Sequence, residues 1–219
     1  MKKQTIKESI EVHGARERLI EVATQLFAEK GLDGVSTRDI SKAAGLNISL
    51  ISYYFGGKEG LYKAVILDFA LKAQARLTEL LQLHDLEKMN KEIFLKFMRS
   101  FVTAVVRFRF STPHITKILT REAMAGLPYA KEVYENIFRG VGESVIQVMK
   151  RAQDKKILRQ DIHLYVYFLS LVHVVENFSI CTKCDTEFIH RLPNPDTEED
   201  QYVDQIYKLF VEGIIYEKE

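Results

Sequence analysis

The side chains with the most to offer chemically crowd into one short stretch. Between positions 37 and 58 stand Thr37, Arg38, Asn47, Ile48, Ser49, Leu50, Tyr53, Tyr54 and Lys58. They carry hydroxyls, phenols, a carboxamide, a guanidinium and an ammonium, with no His or Cys among them. Such donors suit the phosphates of nucleic acid, while short polar and branched apolar groups suit base edges. Thr37, Arg38, Tyr53, Tyr54 and Lys58 are the candidate phosphate contacts. Asn47, Ile48, Ser49 and Leu50 are the candidate readers. Ile48 and Leu50 fit thymine methyls, and Ser49 can donate or accept a hydrogen bond. No Arg, the commonest reader of guanine, is among the four. Readout is therefore expected to be A·T-weighted or to rest partly on DNA shape. Lys2, Lys3 and Lys7 are read as a solvated tail.

Other constellations carry less. Cys181-x-x-Cys184 with His173 or His190 lacks the second ligand pair that a zinc site needs. As a redox pair it lacks a βαβ setting. Gly57-Lys58 is not a phosphate loop, because Ser52 and Glu59 occupy positions that the pattern reserves for Gly and for Ser or Thr. His114 and Glu122 lie near each other in sequence, but no triad, metal cluster or nucleotide loop accompanies them. No enzyme, metal or cofactor is expected.

The elements that must position the cluster are helices. Leu19, Val22, Ala23, Leu26 and Phe27 recur at helical spacing, with Glu17, Glu21, Gln25 and Glu29 opposite. This predicts an amphipathic helix over 15–30, stopped at Gly31. A second helix runs from Ser36 or Thr37 to Ala44. Gly45-Leu46-Asn47 is a turn, and Asn47 caps a third helix, 48–55. Two short helices joined by a tight Gly-containing turn make a helix-turn-helix, whose second helix puts its N-terminal residues in the major groove. Ile40, Ala43, Ala44, Leu46 and Ile51 are its expected core. Further helices are predicted over 58–83, 89–110, 114–126, 129–155, 161–180 and 198–217. The runs 101–110 and 165–175 are rich in β-formers. Both are read as helix because they are long and free of turn residues. Cys181 to Pro195 reads as a loop.

Residues 36–62, STRDISKAAGLNISLISYYFGGKEGLY, resemble the DNA-binding signature of the TetR family of transcriptional repressors. The likeness runs over about residues 13–64, and SYYFGGKEGLY with TREAM at 120–124 is similar to the CecR-like branch. Many family members carry Tyr at the place of Ser52, where it binds phosphate; here that role is expected to pass to Tyr53. The resemblance implies an all-α fold of about nine helices. Residues 1–60 would form a helix-turn-helix DNA-binding domain with a short flexible N-terminal tail. Residues 61–219 would form a helical effector-binding and dimerisation domain. It also implies a homodimer on a near-palindromic double-stranded operator, released by a small apolar effector.

The aromatics Phe97, Phe101, Phe108, Tyr134, Phe138, Tyr165 and Phe168 are candidates to line the effector pocket. Helix 161–180 is apolar nearly all round, and helix 198–217 carries one apolar stripe. Val166, Leu169, Val172, Val203, Ile206 and Phe210 are the expected dimer contacts. Gly140 and Gly142 interrupt a helical pattern, for close helix approach or for pocket space.

Composition fits this reading. The 219 residues carry 31 Lys plus Arg and 30 Asp plus Glu, for a net charge of +1, with 47% hydrophobic residues. That excludes a disordered chain. Two cysteines exclude a disulfide framework. No apolar run approaches ~18 residues, so no membrane partner is expected. The start lacks a secretory h-region, which predicts a cytoplasmic protein.

Overall fold

The computed structural model describes residues 2–182, 184–194 and 196–215, and side chains from Gly14 onward. Among these the chain is all-α: α1 Lys2–Lys30, α2 Thr37–Ala44, α3 Ser49–Phe55, α4 Lys58–Leu83, α5 Lys91–Phe110, α6 Pro113–Met124, α7 Lys131–Val133, α8 Arg139–Asp154, α9 Leu164–Cys181 and α10 Glu199–Phe210. Since α7 is a single turn, nine full helices are described. Both β-former-rich runs are helical. In α5 the buried Phe94, Phe97, Met98, Phe101 and Val102 follow the helical period, so burial overrides local propensity.

Some boundaries differ from the periodicity. Helix α1 begins at Lys2, before Ala15; the side chains of Lys2, Lys3 and Lys7 lie outside the described residues. The stretch 129–155 is not one helix, because a π-turn over Tyr134–Phe138 separates α7 from α8. Helix α10 stops at Phe210 and a 3-10 turn follows over Glu212–Ile214. There the Ile214 carbonyl accepts from Arg159 N at 3.0 Å, and Ile215 bridges to Leu158. Residues 216 and 217, expected to be helical, lie outside the described residues, as does Pro195.

The chain divides into two compact units. The first is Met1–Ala70 with Lys117–Tyr134, and so reaches beyond residue 60, where the sequence set its boundary. Helix α1 packs on α2 and α3 through a stripe that buries Leu19, Val22, Ala23 and Phe27. The Tyr62 ring meets Phe27 edge-on at 5.1 Å and Tyr129 at 5.5 Å. Arg121 Nη1 donates to the Phe27 carbonyl at 2.9 Å. These contacts explain why residues 117–134 group with the N-terminal helices.

The second unit is Leu71–Thr116 with Glu135–Glu219. Its core joins α5 to Val145 and Met149 of α8, Leu171 and Val175 of α9, and Val203 and Ile206 of α10. Arg107 pairs with Glu199 and Asp200, and Arg99 with Asp204, along the α5–α10 seam. A Cβ on Gly142 would lie 3.2 Å from the Phe168 ring, so this glycine serves close helix approach; one on Gly140 would meet nothing within 4 Å.

Candidate nucleic-acid interface

Local capping sets the two-helix motif. Ser36 Oγ accepts from Asp39 N at 3.1 Å, and Asp39 Oδ2 accepts from Ser36 N at 3.0 Å. This capping box fixes the start of α2, and loss of such a cap typically costs about 1 kcal/mol. Hydrogen bonds from the Ser36 side chain and backbone hold the Asp39 carboxyl below its ordinary range. Gly45, at φ 68°, ends α2 in the left-handed region that other residues resist. Helix α3 starts at Ser49, one residue later than expected, so its cap position falls on Ile48, whose side chain makes no cap bond. Asn47 instead closes the turn: its Oδ1 accepts from Ser49 N at 2.9 Å and from Ser49 Oγ at 2.8 Å. The backbone N–H can only donate, so the oxygen of the carboxamide must face it. The Ser49 hydroxyl is therefore a donor to Asn47 and keeps its lone pairs for other partners.

Beneath this surface Ile40 and Ile51 are fully buried, while Ala44 and Leu46 are half-buried. Ala43 is exposed, contrary to the core expected from sequence, because α2 is a surface helix with a single buried side. Gly60 is sterically required, since a Cβ there would fall 1.7 Å from the Phe55 carbonyl oxygen. It lets the first turn of α4 close onto the end of α3.

The predicted contact residues all belong to the first unit. Arg38, Asn47, Ile48, Ser49 and Tyr53 are exposed, while Thr37, Leu50 and Tyr54 are half-buried. The Tyr53 ring is 78% exposed and stands edge-on to Tyr54 at 5.0 Å. Lys58 differs from expectation. Its Nζ donates to the Leu32 carbonyl at 2.8 Å in a half-buried position, bracing the α1–α2 turn. The helix-end placement seen in the sequence was right, but that turn folds back within reach of the ammonium.

Glu122 was not assigned a role from sequence. It is 4% exposed, and its Oε2 accepts from Tyr129 N and Ala130 N, each at 3.0 Å. Burial, then the charge and hydrogen bond of Glu122, push the Tyr62 phenol well above its ordinary range. A signal was present: Glu122 falls on the apolar stripe Ile115, Ile118, Leu119 at helical spacing. The carboxylate is committed to these donors rather than to chemistry with His114.

In the second unit the expected pocket residues separate. Phe97, Phe101 and Phe168 form a stacked row, with ring centroids 6.2 and 6.4 Å apart. Phe108 is buried beneath the Arg76 guanidinium, 4.7 Å from its ring centroid. Phe138 ends the π-turn. Tyr165 does not join the row: it is half exposed, and its hydroxyl donates to Glu143. Tyr134 groups with the first unit.

The expected dimer residues also divide. Val166 and Leu169 are exposed, Val172 is half-buried, and Val203 and Ile206 are buried. Phe210 packs against Tyr167, at 6.1 Å between rings. At Val203 and Ile206 the stripe of α10 thus covers its own unit's core, which corrects the interface expected for those two residues, while Phe210 is half-buried. Helix α9 is long and apolar enough to cross a membrane by length and composition alone. His190 pairs with Asp185 at 2.9 Å, and His173 Nδ1 lies 2.8 Å from the Leu169 carbonyl.

A short second helix with an exposed start, joined by a tight glycine turn to a capped first helix on a buried apolar base, defines a helix-turn-helix. Residues 19–65 match the family model for bacterial regulatory proteins, tetR family. The probable HTH-type transcriptional regulator YttP of Bacillus subtilis is 44% identical over 54 residues, covering 25% of this chain and 26% of YttP. The HTH-type transcriptional dual regulator CecR of Shigella flexneri is 30% identical over 131 residues, covering 56% of this chain and 57% of CecR. The matches thus span about a quarter and just over half of those relatives. The ketosteroid transcriptional regulator KstR2 of Mycobacterium tuberculosis shares the fold, with a TM-score of 0.67 at 18% identity over 92% of this chain and 95% of that one. Residues 19–65 therefore carry a helix-turn-helix of the TetR type, and the chain is similar to HTH-type transcriptional regulators in that segment and in its fold.

Proposed function

We propose that this protein is a transcriptional regulator of the TetR family, a dimeric repressor in the cytoplasm that responds to a small ligand, and that it is not an enzyme. Each subunit lays α3 in one half of a near-palindromic double-stranded operator, with half-sites one helical turn, ~34–36 Å, or a multiple of it apart. Asn47, Ile48, Ser49 and Leu50 read base edges. Thr37, Arg38, Tyr53 and Tyr54 meet phosphates, and Lys58 braces the reading head. The observation that carries this reading is the exposed start of α3, where Asn47 Oδ1 holds the Ser49 N–H and hydroxyl.

Dimerisation rests on α9, where Tyr165, Val166 and Leu169 leave an apolar face exposed on a helix whose other side is core. A small apolar effector binds among the helices of the C-terminal part and acts through its differential affinity for two conformations. Helix α4, which contributes residues to both compact units, is the mechanical link.

Gel-shift assays of the full-length protein against duplexes from its own upstream region test the reading. Salt-dependent retardation of a dimer is expected. Absence of any salt-dependent shift on every fragment would overturn it.

A further inference from the structure

At the far end of α3 the structure places a cation that the motif does not name. Lys58 was the sequence's choice, but its ammonium holds the Leu32 carbonyl at 2.8 Å. Arg16, on α1, lies 39 residues earlier than Phe55 and comes to the end of α3 only through the fold. Its guanidinium carbon lies 5.5 Å from the centroid of the Phe55 ring, and the residue is exposed. Phe55 is the last residue of α3. Its ring is 6.0 Å from that of Tyr54, which is 5.0 Å from that of Tyr53. The guanidinium thus closes an aromatic row that begins at the 78% exposed Tyr53.

Stacking has a chemical consequence. A guanidinium held against an aromatic ring keeps its N–H edge available, and that planar fork matches two phosphate oxygens. The ring also limits the rotamer freedom that an exposed Arg otherwise loses on binding. A seven-residue helix rises only about 10 Å, comparable with the ~12 Å major groove, so the groups at its end come near a backbone rim.

We propose that Arg16, oriented by Phe55, is a phosphate anchor of the reading head. The inference rests on the DNA-binding reading above. It adds α1 to the interface and gives the aromatic end of α3 a role in orienting a cation.

The test uses the full-length protein and one 30-base-pair duplex chosen by wild-type selection from a random pool. Affinity is followed by fluorescence anisotropy across a salt series. Arg16→Gln is expected to weaken binding to the selected and to unrelated duplexes by the same factor. It should lower the magnitude of the salt slope by about 0.9 per subunit. Arg16→Lys should keep the slope but recover only part of the affinity. Phe55→Leu should weaken the wild type, yet add nothing in the Arg16→Gln background. Thermal melting of Arg16→Gln should match wild type, since the residue is exposed. An unchanged slope and affinity in Arg16→Gln would overturn the proposal, as would a fully additive Phe55→Leu effect. If the wild type shows no salt-dependent binding to any duplex, the DNA-binding reading fails instead.

Discussion

Glu122→Ala is the perturbation with the largest effect expected for one side chain. The carboxylate accepts from Tyr129 N and Ala130 N at 3.0 Å each, and Ala130 is fully buried. A buried donor left without an acceptor costs about 1–3 kcal/mol, a cost that the Ala130 N–H bears in full and the part-buried Tyr129 N–H in part, about 2–5 together. Removing a buried charge returns part of this, because the carboxylate no longer has to be desolvated. A net loss of about 2–4 kcal/mol is expected, against a total stability of about 5–15 for a typical domain. Glu122→Gln keeps one acceptor oxygen and should lose less than half as much. The assay is urea unfolding followed by far-UV circular dichroism and by tyrosine fluorescence, which is readable because the chain contains no Trp and 10 Tyr. The reasoning would be refuted by an Ala variant within about 0.5 kcal/mol of wild type. A Gln variant as damaged as the Ala variant would show that charge, not the acceptor geometry, holds the segment.

Three further outcomes follow from particular contacts. Lys58→Met removes a charge-assisted bond to the Leu32 carbonyl and should lower stability by about 1.5–3 kcal/mol without changing the salt slope of DNA binding; a flattened slope at unchanged stability would return Lys58 to the phosphates. His84 lies 3.2 Å from Ser100 Oγ, and burial, then the charge of Lys96, lowers its pKa below the ordinary 6.5. The unfolded chain therefore binds that proton more readily, so stability is lost as pH falls through 6.5, and His84→Gln should flatten the stability profile between about pH 7 and 5. Val166→Arg should yield folded monomers by analytical ultracentrifugation, whereas Val203→Arg, inside the core, should unfold the unit; a dimeric Val166→Arg variant would move the interface off α9.

Much of the reading head was legible because its determinants are local. Ser36, Gly45 and Asn47 act within a few residues of themselves, so type and spacing suffice to place the cap of α2 and the turn. The helical state of α5 and α9 was legible for a related reason: a period sustained over many residues outweighs single-residue preference. Partner choice was not legible. Val203, Ile206 and Phe210 form one apolar stripe, and a stripe states that it must be covered without saying by what. The structure covers Val203 and Ile206 with the same chain, and leaves Val166 and Leu169 of α9 outside. Of the seven aromatics expected around one pocket, Phe97, Phe101 and Phe168 share one row while Tyr165 stands at the surface, since aromatic content is compatible with core and surface alike.

The sequence by itself determined that the chain is helical, the turn between α2 and α3, and the outward-facing Asn47, Ile48 and Ser49 at the start of α3. These follow from backbone sterics and short-range hydrogen bonds. Only the tertiary structure decided that Lys58 holds the Leu32 carbonyl, that Arg16 meets Phe55, and that Glu122 is buried against Tyr129 and Ala130. Two of these partnerships join residues 26 and 39 positions apart. All three depend on the direction in which a long side chain meets a neighbouring element, which packing fixes and residue spacing alone does not.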